Sequence, residues 1–150
     1  MKPLKHSIIN VFFIGLMSAT YSFIFIFSSD HVEFLNLLSK SKTLQSDFWS
    51  WWSDFIRSGN MKYIGYAIIG LTLTIFLLIL LKRTKKYDEY QVSIISRSLI
   101  VAGIISIMMM PIIMVMLLSD PNYTVETIFL FTVIQWFGVL IADLFYTIKY

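Results

Sequence analysis

The chain has 150 residues, of which 57% are hydrophobic and only 14% are charged, and its formal net charge is +3. An average soluble domain carries about 25% charged residues, so this composition indicates a protein that lies mostly within a membrane. The absence of cysteine excludes disulfide scaffolds and thiolate metal sites. The only histidines, His6 and His31, lie outside the apolar runs, which excludes a haem held by two histidines inside a helical bundle.

Four nearly uncharged apolar runs divide the chain, at residues 7–27, 61–81, 94–118 and 125–148. Each is long enough to cross a hydrocarbon core of about 30 Å, which takes about 20 helical residues. We therefore predict an all-α membrane protein, a single domain of four transmembrane helices with an outer loop at residues 28–60.

The first run also begins like a secretory signal peptide, because a short basic segment precedes it. A signal peptide would end its apolar region after 7–15 residues at a small-x-small cleavage site. This run continues to Phe27, and Met17 occupies the −3 position before its only cluster of small residues. We therefore expect an uncleaved first span.

Basic residues predict the orientation of the spans. With the N-terminus inside, eight of them fall at cytoplasmic ends: Lys2, Lys5, Lys82, Arg83, Lys85, Lys86, Arg97 and Lys149. The remaining four, Lys40, Lys42, Arg57 and Lys62, fall outside together with six acidic residues. The positive-inside rule then predicts an N-in/C-in topology. The basic charge serves orientation, and we expect no nucleic-acid partner.

The outer loop carries a second, shorter helical pattern. Leu44, Phe48, Trp51, Trp52 and Phe55 recur at i, i+4, i+7, i+8 and i+11, which places them on one face of a helix. We predict an amphipathic helix at the outer interface, where aromatic rings settle among lipid headgroups. Its candidate docking residues for a partner or for lipid are Phe48, Trp49, Trp51, Trp52 and Phe55. An aromatic belt that only anchors the second span is the alternative interpretation.

The turn between the second and third spans is strongly basic. Its Lys82, Arg83, Lys85 and Lys86 are candidates for contact with anionic lipid headgroups. The sequence Lys85-Lys86-x-Asp88-Glu89-x-Gln91, followed by Ile94 and Arg97, resembles the juxtamembrane pattern of small four-span bacterial membrane proteins. Tyr90 departs from that pattern, in which arginine is more usual at this position. The resemblance implies four spans and a bacterial cytoplasmic membrane, and it implies no chemistry.

Small and polar residues inside the spans are the remaining signals. Small residues that allow helices to approach closely are Gly15, Ala19, Ser98, Ala102, Ser106, Gly138 and Ala142. Polar residues at membrane depth are Gln135, Asp143 and Arg97. Because the third and fourth spans form a hairpin, we expect Arg97 and Asp143 to pair as a structural clasp, or Asp143 to serve as a proton or cation site. Pro111 is expected to kink the third span.

No catalytic motif accompanies these spans, and the sequence predicts no cofactor and no metal site. A single intramembrane aspartate does not make an aspartyl hydrolase, which needs two facing carboxylates. The leading hypothesis is a non-catalytic membrane protein that binds another membrane protein, either as an accessory subunit of a complex or as an immunity-type protein against a membrane-active toxin. The alternative is a homo-oligomeric pore or small-solute transporter that uses Gln135 and Pro111, and the third is a lipid-modifying enzyme.

Overall fold

The computed structural model describes residues 4–31, 46–81, 88–119 and 124–149, and these residues form helices and turns without strands. Five helices follow in order: α1 (Leu4–Asp30), α2 (Asp47–Arg57), α3 (Met61–Leu81), α4 (Asp88–Ser119) and α5 (Thr124–Lys149). Of these, α1, α3, α4 and α5 are long and apolar enough to cross a membrane. The prediction of an all-helical, multi-pass membrane protein is confirmed at this level.

Helix boundaries differ from the predicted spans mainly at α4. It begins at Asp88, six residues before the apolar run, and it continues through Pro111 to Ser119 as one helix of 32 residues. The polar segment before Ile94 is therefore helical rather than part of a turn. The basic residues Lys82, Arg83, Lys85 and Lys86 lie outside the described residues, so their predicted lipid contacts stay a prediction.

The four long helices form a bundle built from two pairs. α1 packs most closely against α3, and α4 against α5; the pairs meet where α1 contacts α4 and α3 contacts α5. α1 and α5 consequently face each other across the centre of the bundle. Their rings touch there, for example Phe25 with Phe129 at 6.1 Å between centroids. α1 and α5 are antiparallel, because Asn10 near the start of α1 contacts Asp143 near the end of α5, while Phe25 near the end of α1 contacts Phe129 near the start of α5.

Buried positions follow a repeat of three and four residues, which is the spacing of helices packed side by side. On α3 the buried residues are Met61, Gly65, Ile68, Thr72, Ile75 and Ile79. On α1 several buried positions are small and polar, including Asn10, Ser18, Ser22 and Ser29. Large apolar side chains cover the outside of the bundle, among them Phe12, Leu77 and Ile107. This inside-out distribution suits a helix bundle surrounded by lipid, where small residues permit close packing.

The small residues that were predicted to allow close packing contact different helices. Gly15 lies against the ring of Phe76 on α3, and Gly138 lies against Ile105 on α4. Ser98 is buried, Ala102 and Ser106 are half-buried on the same stripe of α4, and Ala102 packs against the core. Ala142 is half-buried, whereas Ala19 is exposed. The Gly15–Ala19 pair therefore does not form one continuous contact face within the bundle.

Gly65 marks the closest approach between α1 and α3, and it allows a matched test. A Cβ atom at Gly65 would lie 2.9 Å from Ile26 Cγ1 and 3.1 Å from the backbone oxygen of Ser22, whereas one at Gly70 would meet nothing within 4 Å. We expect Gly65→Ala to lower the free energy of unfolding by about 1–3 kcal/mol, as overpacking does. Gly70→Ala, on the same helix, should be neutral or stabilising by up to about 1 kcal/mol. Thermal unfolding in detergent measures both, and equal stability of the two variants would contradict the packing of α1 on α3.

Candidate functional site

A buried carboxylate attaches α2 to the bundle. The indole Nε1 of Trp52 donates to the backbone oxygen of Glu126 at 2.9 Å, and Ser53 Oγ donates to Glu126 Oε1 at 2.9 Å. Glu126 lies in the first turn of α5 and is only 1% exposed. One bond thus reaches the backbone of Glu126 and the other its side chain, and together they hold α2 against the start of α5.

The turn after α2 makes a second attachment at the same end of the bundle. Gly59 adopts a φ of 72°, which favours glycine, and Asn60 N donates to Phe55 O at 3.3 Å. The hydroxyl of Ser29, at the end of α1, donates to the backbone oxygen of Gly59. We call this end of the bundle, which carries α2, the α2 end. α2 is thus fixed to both α1 and α5 there.

The aromatic residues of α2 divide into a packed set and an exposed set. Trp52 and Ile56 are buried, and Trp49 and Phe55 pack against the core from partly buried positions. Phe48 is 48% exposed and Trp51 is 58% exposed. The sequence pattern placed Phe48 and Trp51 on one face with Trp52 and did not include Ser53 in that face. The structure instead turns Trp52, Ser53 and Ile56 inward, because Ser53 has an acceptor on Glu126.

A layer of polar side chains crosses the middle of the bundle. Gln135 Nε2 donates to Ser106 Oγ on α4 at 2.6 Å, and Tyr21 Oη on α1 donates to Gln135 Oε1 at 3.4 Å. Trp136 Nε1 donates to Ser18 Oγ at 3.2 Å, and its ring stacks on Tyr21 with 4.7 Å between centroids. Gln135 is therefore a half-buried bridge between three helices, with its amide groups engaged inside the bundle.

A second buried carboxylate, Asp143, lies at the opposite end, which we call the terminal end. It is fully buried and accepts hydrogen bonds from the side chains of Asn10 on α1 and Ser98 on α4, the latter at 3.5 Å. Its Oδ2 atom has no hydrogen-bond partner in the described part of the chain. Thr147, one turn further along α5, is also buried. Three helices thus bring polar oxygens together around one acid.

The contact that the structure describes for Arg97 is with Tyr146, three residues from Asp143 on α5. Arg97 is exposed, and its guanidinium lies over the ring of Tyr146 at 5.1 Å from the centroid. Within the described residues, Asp143 takes its hydrogen bonds from Asn10 and Ser98 instead of Arg97. Among the contacts that the structure describes, Asn10 reaches the acid from across the bundle where the sequence predicted Arg97, and the Arg97–Asp143 clasp stays a prediction.

Sequence reasoning missed the partners that α1 supplies and the role of Glu126. Asn10, Ile14, Ser18 and Ser22 recur every four residues, and this stripe of small or polar residues in an apolar run was the available signal. Glu126 was assigned only to the outer charge balance, because it lies at the beginning of its run. Its buried state depends on Ser53, more than seventy residues earlier, and no local pattern carries that information.

The acidic side chains of the described residues are spread out along the bundle. Among the described residues, no group of three or more His, Cys, Asp or Glu side chains could hold a metal ion. The two buried carboxylates, Glu126 and Asp143, lie 17 residues apart on α5, about 26 Å along a helix at 1.5 Å per residue. They are therefore separate sites rather than one catalytic pair.

Comparison with known proteins adds no assignment. No protein-family model matches the chain, and neither a curated protein nor a solved structure matches it. The resemblance of the segment from Lys85 to Arg97 to small four-span bacterial proteins stays a prediction.

Two double-mutant cycles can test which residues contact Asp143. Because Asn10 donates to Asp143, Asn10→Ala and Asp143→Ala should be coupled by about 0.5–3 kcal/mol in the free energy of unfolding. Arg97→Gln and Asp143→Ala should be additive within about 0.5 kcal/mol, because Arg97 lies on Tyr146. Unfolding in detergent measures both cycles. Coupling of Asp143 to Arg97 but not to Asn10 would contradict the arrangement described here.

Proposed function

We propose that this protein is a non-catalytic integral membrane protein that works by binding another membrane protein. Within that class it acts as an accessory subunit of a membrane complex or as an immunity-type protein that occupies a membrane-active toxin. The observation that carries the proposal is the exposed aromatic pair of α2, Phe48 and Trp51, presented on a helix that Glu126 holds in place.

The attachment of α2 favours recognition. Tryptophan and other large aromatic side chains supply much of the binding energy at protein interfaces. Binding loses less conformational entropy when the anchoring side chains stand on an element that is already fixed. Trp51 makes ring contacts with Phe48 and Phe55, at 6.4 Å and 5.7 Å between centroids, so its orientation is also restricted by neighbours.

We further propose that α2 lies on the outer face of a bacterial cytoplasmic membrane, with both chain termini inside. This N-in/C-in orientation rests on the basic residues, which are concentrated at the terminal end and in the turn at Lys82 to Lys86. In this orientation, Phe48 and Trp51 lie at the level of the lipid headgroups and face partners within the membrane or just outside it.

Orientation can be tested by cysteine labelling, because the natural chain contains no cysteine. Ser50→Cys places a thiol at an exposed position of α2, and Lys149→Cys places one at the exposed end of α5. In intact cells, a membrane-impermeant maleimide should label Ser50→Cys and leave Lys149→Cys unlabelled until the membrane is opened. The reverse result would overturn the proposed topology.

The pore or transporter alternative receives weaker support. Pro111, its expected pathway residue, is exposed on the outside of α4. Gln135 uses its amide groups on Ser106 and Tyr21 inside one bundle. A path between copies of the chain could be lined by Pro111, but Gln135 would have to leave its partners inside the bundle to join it. No group in the described residues favours the third hypothesis, a lipid-modifying enzyme, over the binding protein or the pore.

The binding proposal predicts protein contacts at Trp51. A photo-crosslinking amino acid at position 51 should form adducts with another integral membrane protein in native membranes, whereas one at Tyr66, which is exposed on α3, should give lipid adducts. Trp51→Ala should reduce co-purification of that partner without lowering thermal stability, because the side chain lies outside the core. Trp52→Phe should lower thermal stability by about 0.5–1.5 kcal/mol, because it removes the hydrogen bond to Glu126.

Two outcomes would contradict this proposal. Lipid adducts alone at position 51, matching those at position 66, would make α2 a membrane anchor. Unchanged partner recovery with Trp51→Ala would place the interface on another surface of the bundle.

A further inference from the structure

The contacts that the structure describes for the acid at the terminal end are with neutral groups. Asp143 is 0% exposed, and the groups that hydrogen-bond to it, Asn10 and Ser98, are both neutral. Arg97, the basic residue that the sequence analysis paired with Asp143, lies over the ring of Tyr146. A buried carboxylate is strongly disfavoured in an apolar medium unless a positive charge or a proton neutralises it.

The described hydrogen bonds engage only one of the two carboxylate oxygens of Asp143. Oδ1 accepts from Ser98, whereas Oδ2 has no partner in the described part of the chain. A proton on Oδ2 would neutralise the acid and turn that atom into a donor, so a proton is the competing occupant that the test must exclude. A cation bound to Oδ2 would satisfy that atom and balance the charge together.

The surroundings of Asp143 are rich in oxygen and come from three helices. Asn10 of α1, Ser98 of α4 and Thr147 of α5 are all buried and carry amide or hydroxyl oxygens. Such hard oxygen ligands suit small hard cations, and soft thiolate ligands are absent from the chain. One carboxylate balances one positive charge, so the site matches a monovalent ion better than a divalent one.

We propose that Asp143, with Ser98 and Asn10, forms a site for a small monovalent cation, for which sodium is the probe. The site lies six residues before Lys149, the last residue of α5, about 9 Å from the helix end, so the water at the terminal end is the nearer source of an ion. This proposal is independent of the binding function assigned to α2, because it concerns the opposite end of the bundle.

The test uses the full-length protein in detergent at constant pH and ionic strength. Sodium chloride replaces choline chloride stepwise, and the melting temperature is recorded. Saturating sodium should raise the melting temperature of the natural protein by about 3 °C, because a ligand that binds only the folded state stabilises it. Asp143→Asn should abolish this rise, and Asp54→Asn, which changes an exposed carboxylate on α2, should leave it intact.

A second variant keeps the proposal testable if Asp143→Asn does not fold. Ser98→Ala retains the acid and removes one oxygen ligand, so the sodium concentration for half of the effect should rise about tenfold. Infrared spectra of the natural protein should show a change in a carboxylate band when sodium replaces choline. A melting temperature independent of sodium would overturn the proposal, as would a sodium effect that both variants retain unchanged. An infrared band of a protonated acid that persists at saturating sodium and disappears in Asp143→Asn would overturn it too.

Discussion

The bundle depends on one constraint: polar side chains inside an apolar medium must find partners within the protein. Asn10 of α1 meets Asp143 of α5 near the terminal end, and Ser18 and Tyr21 of α1 meet Trp136 and Gln135 of α5 in the middle of the bundle. Lipid is as apolar as the helices, so burial of apolar surface gives little reason for one register over another. These polar contacts therefore fix both the register and the antiparallel direction of α1 against α5.

The position of α2 follows from the same helix. Glu126 lies at the beginning of α5, and its attachment to Trp52 and Ser53 sets where the exposed Trp51 can lie. A slip of α5 by one turn, about 5.4 Å, would separate Glu126 from α2 and Asp143 from Asn10 together. The surface at one end and the polar cluster at the other are consequently positioned by a single register.

The sequence predicted the four long helices because length and hydropathy are local properties of each run. It predicted the depth of Asp143 for the same reason, but it could not predict the partner. Arg97 and Asn10 both lie near the depth of Asp143, and only the packing around the bundle decides which of them reaches it. The inward face of α2 was misassigned for a related reason, since Ser53 becomes buried only through Glu126. Local periodicity gives the face of a helix, and contacts distant in sequence decide which face turns inward.

The two proposed sites are linked through the folding of α5. A cation at Asp143 would contact residues of α1, α4 and α5, and it would be lost when these helices separate. A ligand that binds only the folded state stabilises every part that unfolds with its site. Because α2 is held by Glu126 on the same helix, separation of α5 from the bundle would also release the exposed aromatic pair. Occupancy at the terminal end would then maintain the α2 surface without any change in the conformation of α2.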